Sequence, residues 1–432
     1  MSLNRTIAGI RALFSKRDTK TILTNFFSLG VIQGTNFLLP LIVLPYLVSV
    51  IGLANYGLVA LAQSFVFYWI MFTDYGFHLS TTREIALHKN DRHKVAAIVC
   101  STLVAKSILC IMAFIGFFAL IELVPAFYEN RPLYYLGIFM ILGQSLIPVW
   151  FFQGMEVMKF ITYINLTGKV IQTVLIFSLI RSSSDYIYVL LFYGIGSFIA
   201  GIAGVWLMVS RFSIILQWPG VKDVIDQLKN GWYIFLSHFA INICSNSNIF
   251  ILGFFASNTT VGYFGIADKV VSIARQLVMI FFQATYPTVC KQILISHSAV
   301  TAFFKSYFIP FTLVIALLCL LIFGFADVIT IFFAGDAIPE IVTAIRWMIV
   351  VPLIVCLNLP AFQTLLAYNY QKSYMMVFVA CSALNIILNL ILARYYLISG
   401  AITAIIITEL MITGGLHAVL YIRHPENRLS AI

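Results

Sequence analysis

Long apolar runs succeed one another along the chain, each closed by a turn residue or a charge. Twelve can be read, near 21–48, 56–80, 95–121, 133–153, 161–180, 186–210, 232–255, 262–287, 304–325, 341–368, 374–393 and 398–421. Each is close to the roughly 20 residues that carry a helix across a bilayer. A membrane barrel would show alternating segments of about ten residues, and these runs are continuous. The pattern predicts an all-α membrane protein with twelve transmembrane helices. The intervening loops are short, and none can house a catalytic domain. The longest inside loop, 211–231, separates six runs from six.

Composition agrees. Hydrophobic residues make up 61% of the 432 and charged residues 10%, with a mean hydropathy of +0.99. A soluble surface takes roughly a quarter charged residues. Disorder, a disulfide scaffold and a soluble enzyme are excluded together.

The formal net charge is +10, and its distribution matters more than its size. With the N-terminus inside, the outer loops hold only Arg131, Arg181 and Arg394. The inner segments take Arg5, Arg11, Lys16, Arg17, Lys20, Arg83, Lys89, Arg92, Lys94, Lys159, Arg211, Lys222, Lys229, Lys291, Lys305, Lys372, Arg423 and Arg428. This is the positive-inside asymmetry, with both termini cytoplasmic. It accounts for the basic balance without nucleic acid as a partner. The basic segment 1–20 precedes a run too long for a signal-peptide core, so the first span is expected to be retained. Its Ile7, Ile10, Leu13 and Phe14 alternate with Arg11 and Lys16 at helical spacing, as in a helix lying on the membrane surface.

A duplication is visible. Tyr56-Gly57-Leu58-Val59-Ala60 opens the second run and Tyr263-Phe264-Gly265-Ile266-Ala267 the eighth. Phe152-Gln153 closes the fourth, and Phe362-Gln363 comes late in the tenth. Six spans per half give parallel repeats with a site between them. The expected organisation is a basic segment (1–20), an N-lobe (21–210), a cytoplasmic linker (211–231), a C-lobe (232–421) and a tail (422–432). The two six-helix lobes would surround a central cavity.

Polar residues inside the runs point to that cavity, since a charge at bilayer depth costs about 2.5–3.5 kcal/mol on insertion scales. Thr162, Asn165, Lys169 and Gln172 share one helix face. Such a stripe either lines a wet interior or bonds neighbouring helices; for Lys169 the cavity is the stronger reading. The eighth run carries Asp268, Ser272 and Arg275 on one stripe, with Lys269, Gln276 and Gln283 on the next. Lys106 adds a cation beside Thr102. Gln33 and Asn36 in the first run and Asn242 in the seventh supply amides. Asp74, near the inner end of the second run, suits either a salt bridge or a coupling role, and the salt bridge is the more economical. Glu409, in the last run, suits proton coupling or partnership with a lysine. The interior cations outnumber the acids, which fits an anionic cargo such as a diphosphate or an acidic sugar. Tyr, Phe, Asn and Gln suit sugar rings.

Other chemistries find no support. Gly168-Lys169 is followed by Val170, so there is no nucleotide-binding loop. Cys100, Cys110, Cys244, Cys290, Cys319, Cys356 and Cys381 make no C-x-x-C pair and gather no histidines, so they read as small buried hydrophobes without metal or disulfide. No cofactor is expected.

Four stretches resemble a known family. The first holds Asn36-Phe37-Leu38-Leu39-Pro40, Leu44-Pro45-Tyr46-Leu47, Asn55-Tyr56-Gly57 and Asp74-Tyr75-Gly76-Phe77-His78-Leu79-Ser80-Thr81-Thr82. The second is Pro148-Val149-Trp150-Phe151-Phe152-Gln153-Gly154-Met155-Glu156. The third runs from Gly262-Tyr263-Phe264 to Tyr286-Pro287, and the fourth is Thr408-Glu409. Over about 21–421 the chain is similar to Wzx-type O-antigen flippases, in the polysaccharide transporter family of the multidrug/oligosaccharidyl-lipid/polysaccharide exporter superfamily. The resemblance implies twelve helices in two lobes and no ATPase. It implies movement of an undecaprenyl-diphosphate-linked repeat unit from the inner to the outer leaflet by alternating access. Partner polymerase and chain-length regulator proteins are also implied. Asp74, Gln153, Gly154, Glu156 and Glu409 fall on the motifs. Lys106, Lys169, Lys269 and Arg275 are expected to attract the anionic part of the cargo, and Gln33, Asn36, Asn165, Gln172 and Asn242 its hydroxyls. Asp74, Asp268 and Glu409 are the candidates for coupling or gating. The rival functions are a drug/cation antiporter or a peptidoglycan-precursor flippase of the same superfamily, and a membrane-embedded polymerase.

Overall fold

The computed structural model describes Gly34 and residues 39–293, 295–368 and 370–423. Gln33, Asn36 and the 1–20 segment lie outside the described residues. The described residues form helices and no strand. We label them α1 (Leu39–Ile51), α2 (Leu53–Asp74), α3 (Phe77–His88), α4 (Arg92–Leu123), α5 (Arg131–Gly154), α6 (Lys159–Leu179), α7 (Val189–Phe212), α8 (Val221–Phe255), α9 (Asn258–Ile293), α10 (Ala299–Gly324), α11 (Ala326–Ala334), α12 (Pro339–Ala367) and α13 (Gln371–Arg423). Among them, eight stretches are long and apolar enough to cross a membrane: α2 continued by α3, then α4, α5, α6, α7, α10, α12 and α13. The predicted runs from the second to the twelfth all fall on helices. The last two share α13, which breaks at Leu397 with φ 49° and ψ −123°. Leu38–Gly262 forms one compact unit, and Tyr263 begins another.

In the first unit, packing is set by small residues. α7 lies between α5 and α6. Gly194, Ser197 and Gly201 face α5, Gly196 and Ala200 face α6, and Gly204 sits against Pro148 of α5 with Ile164 of α6 next to it. A methyl group on Gly196 would come within 2.4 Å of the Gly168 carbonyl oxygen on α6. Lipid gives apolar helices little reason to associate, so close backbone approach of this kind supplies the contact. Gly57 on α2 works likewise: a Cβ there would fall 1.8 Å from the carbonyl oxygen of Asn258, in the opening turn of α9.

The second motif stretch is a clasp. Trp150, Phe151 and Phe152 are fully buried, with Phe151 and Phe152 edge-on to Phe212. Thr82 Oγ1 of α3 donates to the Trp150 carbonyl at 3.1 Å. Gly154 has no room for a side chain, because a Cβ would meet Ile85 Cβ at 2.7 Å. Glu156 turns the chain with φ 60° and accepts a 3.0 Å hydrogen bond from Lys89.

α8 packs with this first unit, against α2, α3 and α4. Near its start, Gln227 and Asn230 donate to the two carboxylate oxygens of Glu84 at 2.5 and 2.8 Å.

In the second unit, Pro287 interrupts the hydrogen-bond ladder of α9. Just before it, buried Gln363 from α12 donates to the Phe282 carbonyl at 3.1 Å and to Thr285 Oγ1 at 2.9 Å, which satisfies polar groups that lipid would leave bare. The two halves of α13 are tied by Asn385, which donates to Thr408 Oγ1 at 3.1 Å, and Asn389 donates back to the Asn385 carbonyl at 3.2 Å.

Candidate functional site

The first unit contains a cavity of about 400 Å³. Its wall includes Asp74, His78, Lys106, Gln144, Asn165 and Asn242, with Phe235 and Phe239 of α8. Six helices contribute, α2 to α6 and α8, and the backbone explains how the polar ones converge.

α2 ends at Asp74 because Tyr75 (φ 48°, ψ 20°) and Gly76 (φ 76°, ψ 10°) both adopt the left-handed region. Glycine reaches it freely, whereas tyrosine is strained there. The elbow is held by α8: a Cβ on Gly231 would touch Tyr75 Cδ1 at 2.9 Å, and Tyr75 stacks on Phe235 with centroids 5.0 Å apart. The chain then restarts as α3, so His78 in its first turn points back to Asp74, and His78 Nδ1 donates to Asp74 Oδ2 at 2.8 Å.

An acid on the last residue of a helix faces the negative end of the helix dipole. Lys106 and His78 offset this. Lys106 comes from the middle of α4, its side chain only 6% exposed, and places Nζ 3.8 Å from Asp74 Oδ1. A buried ammonium without an anion would lose several kcal/mol of hydration; the pair avoids that. The Asp74 side chain is 38% exposed, so the pair has one face on the cavity. Gln144 donates to Ser197 Oγ at 3.0 Å, and its carbonyl oxygen is left for other donors.

The expected residues therefore divide. Lys106, Asp74, Asn165 and Asn242 meet at the cavity. Lys169 and Gln172 continue the α6 face half-buried, and Gln172 packs on Gly196. Gln153, Gly154 and Glu156 belong to the clasp. Lys269, Arg275, Asp268 and Glu409 lie in the second unit. There Arg275 is ion-paired to Asp268 and within electrostatic reach of Glu409. Lys269, one residue along, is exposed on a different face. The cation excess expected from the sequence is thus offset locally: Lys106 and Arg275 each stand beside an acid. His78, Gln144, Phe235 and Phe239 were not singled out by spacing. The i, i+4 relation of Asp74 to His78 is the signal that would have found the first. Among the described residues no group of histidines, cysteines or acids could hold a metal.

The family profile described as polysaccharide biosynthesis protein matches residues 22–293. A protein of Escherichia coli K12 named for O-antigen transport is 26% identical over 390 residues, covering 90% of this chain and 94% of its own length. A protein of Shigella dysenteriae with the same name is 29% identical over 268 residues, covering 62% of this chain and 67% of its own. Among solved structures, an inward-facing multidrug resistance MATE family transporter of the MOP superfamily aligns with a TM-score of 0.72 at 14% identity, covering 90% of this chain and 98% of that one. The lipid II flippase MurJ in an inward closed conformation gives 0.63 at 13%, covering 90% and 87%. These structures share the fold. The chain belongs to the polysaccharide biosynthesis protein family of membrane transporters, the family its motifs resemble.

Proposed function

We propose that this protein is a flippase for an undecaprenyl-diphosphate-linked O-antigen repeat unit, moving it from the cytoplasmic to the periplasmic leaflet of the inner membrane by alternating access. The observation that carries the reading is Lys106, a buried cation paired with Asp74 at a cavity whose wall also carries amides, a histidine, aromatic rings and aliphatic side chains. Such a wall offers one strong anion contact and several hydroxyl partners, the needs of a saccharide joined to a diphosphate. The relatives named for O-antigen transport support the same cargo class. Lys106 releases Asp74 as it takes the diphosphate, while Gln144, Asn165 and Asn242 bond sugar hydroxyls. Asp268 and Glu409 around Arg275 are the coupling groups. The protein performs no bond chemistry, and passes its cargo to a polymerase working with a chain-length regulator. Both termini lie in the cytoplasm.

The test is deletion of the gene in its own host, with lipid-linked saccharides measured on each face of the inner membrane. Repeat units accumulating on the cytoplasmic face, with surface polysaccharide lost, are the expected result. Single units still reaching the outer face and failing only to polymerise would assign the protein to polymerisation and end the flippase reading.

A further inference from the structure

The aromatic rings of α8 form a regular series that charge pairing does not explain. Trp232, Phe235 and Phe239 stand at i, i+3 and i+7, which is one face of a helix, and Asn242 extends the same face by one more turn. Successive rings lie close, with centroids 6.0 Å apart for Trp232 and Phe235 and 5.4 Å for Phe235 and Phe239. The strained elbow residue Tyr75 backs the series, stacked on Phe235 at 14° between planes. One end is open, since Trp232 is 45% exposed. The other end enters the cavity, where Phe235 and Phe239 share the wall with Lys106 and Asn242.

Rings that only packed helix against helix would be covered along their length. This series is only partly covered: Phe235 packs on Phe72 and Tyr75, and the series ends on the cavity, whose wall carries Gln144, Asn165 and Asn242 beside apolar Ile70, Met71, Ile147 and Val149. A sugar ring has a face of C–H groups with slight positive charge, and an aromatic face is negative. A sugar can therefore stack on such a ring while its hydroxyl edge meets amides. An acyl or prenyl chain would gain nothing from the amides.

We propose that Trp232, Phe235 and Phe239 are a stacking ladder for the sugar rings of the cargo, separate from the Lys106 contact that holds its diphosphate. The proposal rests on the flippase reading and adds a division of labour within the cavity: the cation recognises what every such cargo carries, and the ladder recognises the glycan. Tyr75 is the positioning residue that fixes Phe235.

The experiment uses the purified full chain in lipid nanodiscs with two probes, farnesyl diphosphate and farnesyl-diphospho-N-acetylglucosamine. Phe239→Leu and Phe235→Leu are expected to weaken the sugar-bearing probe about five- to tenfold and the bare diphosphate less than twofold. The retained affinity of the leucine variants for the bare diphosphate guards against a folding defect. Lys106→Gln weakens both probes. An unchanged ratio of the two affinities in both leucine variants would overturn the ladder, and so would an equal loss on both probes, which would give the rings to the prenyl chain. Wild-type protein that binds neither probe would remove the flippase reading and the ladder with it. Wild-type protein that binds both, with aromatic variants that leave the ratio alone, would remove the ladder only.

Discussion

Lys106 Nζ lies 3.8 Å from Asp74 Oδ1, and the other oxygen of that carboxylate is held by His78 at 2.8 Å. One acid is thus shared by a buried cation on α4 and an imidazole on α3. Removing the acid strands the lysine. Asp74→Asn is expected to lower stability by about 1–3 kcal/mol, less than the full cost of breaking a wholly buried pair because Asp74 is partly exposed. The double variant Asp74→Asn, Lys106→Gln should recover most of that stability but no transport. Thermal unfolding in detergent reads the first effect and surface polysaccharide the second.

The α6–α7 crossing depends on absent side chains. Gly196→Ala drives a methyl into the Gly168 backbone, and overpacking of this kind costs about 1–3 kcal/mol. The variant should accumulate poorly in membranes and unfold at lower temperature. Gly414, whose Cβ would have nothing within 4 Å, serves as the control: Gly414→Ala should behave as wild type.

Glu156 combines a left-handed backbone with an exposed ion pair to Lys89. The exposed pair is worth about 0–1 kcal/mol, and the left-handed conformation costs a non-glycine residue roughly 1–2 kcal/mol. Glu156→Gly should therefore leave stability unchanged or raise it slightly, whereas Glu156→Val should lower it by more than 1 kcal/mol. A large loss in the glycine variant would show that the carboxylate itself is needed.

Arg275 is ion-paired to Asp268 and within electrostatic reach of Glu409. Arg275→Gln takes the cationic partner from Asp268 and the nearby cation from Glu409, and should reduce stability and transport more than Asp268→Asn does. Arg275→Lys keeps the charge without the planar fork and should fall between them. Protein level in membranes separates the two effects.

The helices were legible because lipid imposes one rule, a continuous apolar run, and the runs from the second to the twelfth all fell on helices. The clasp was legible as a motif but not as packing, because nothing in Trp150-Phe151-Phe152-Gln153-Gly154 says that Gly154 seats against Ile85. Polar residues inside the runs were found one by one, and Lys106, Asp74, Asn165 and Asn242 did converge. Which residues meet was harder to read. Asp74 and Lys106 are 32 positions apart, and their approach depends on the elbow at Tyr75, where a tyrosine adopts a conformation its own propensity disfavours. Counting cations against acids along the chain left Asp74 at the inner end of its run, and so missed that Lys106 carries an acid with it. The aromatic residues were too numerous to interpret singly until α8 set three of them in a row.

The Lys106–Asp74 pairing has an electrical consequence. With the site empty, the two charges cancel, and a reorienting empty carrier moves no net charge from this pair across the bilayer. With a diphosphate bound, the complex is anionic. A membrane potential that is negative inside then acts on the loaded step alone, at about 2.3 kcal/mol per elementary charge for each 100 mV, and drives it outward in the proposed direction. On this account the voltage across the membrane biases the cycle through the cargo's own charge, and collapsing it with an ionophore should slow export even where the pH gradient is kept.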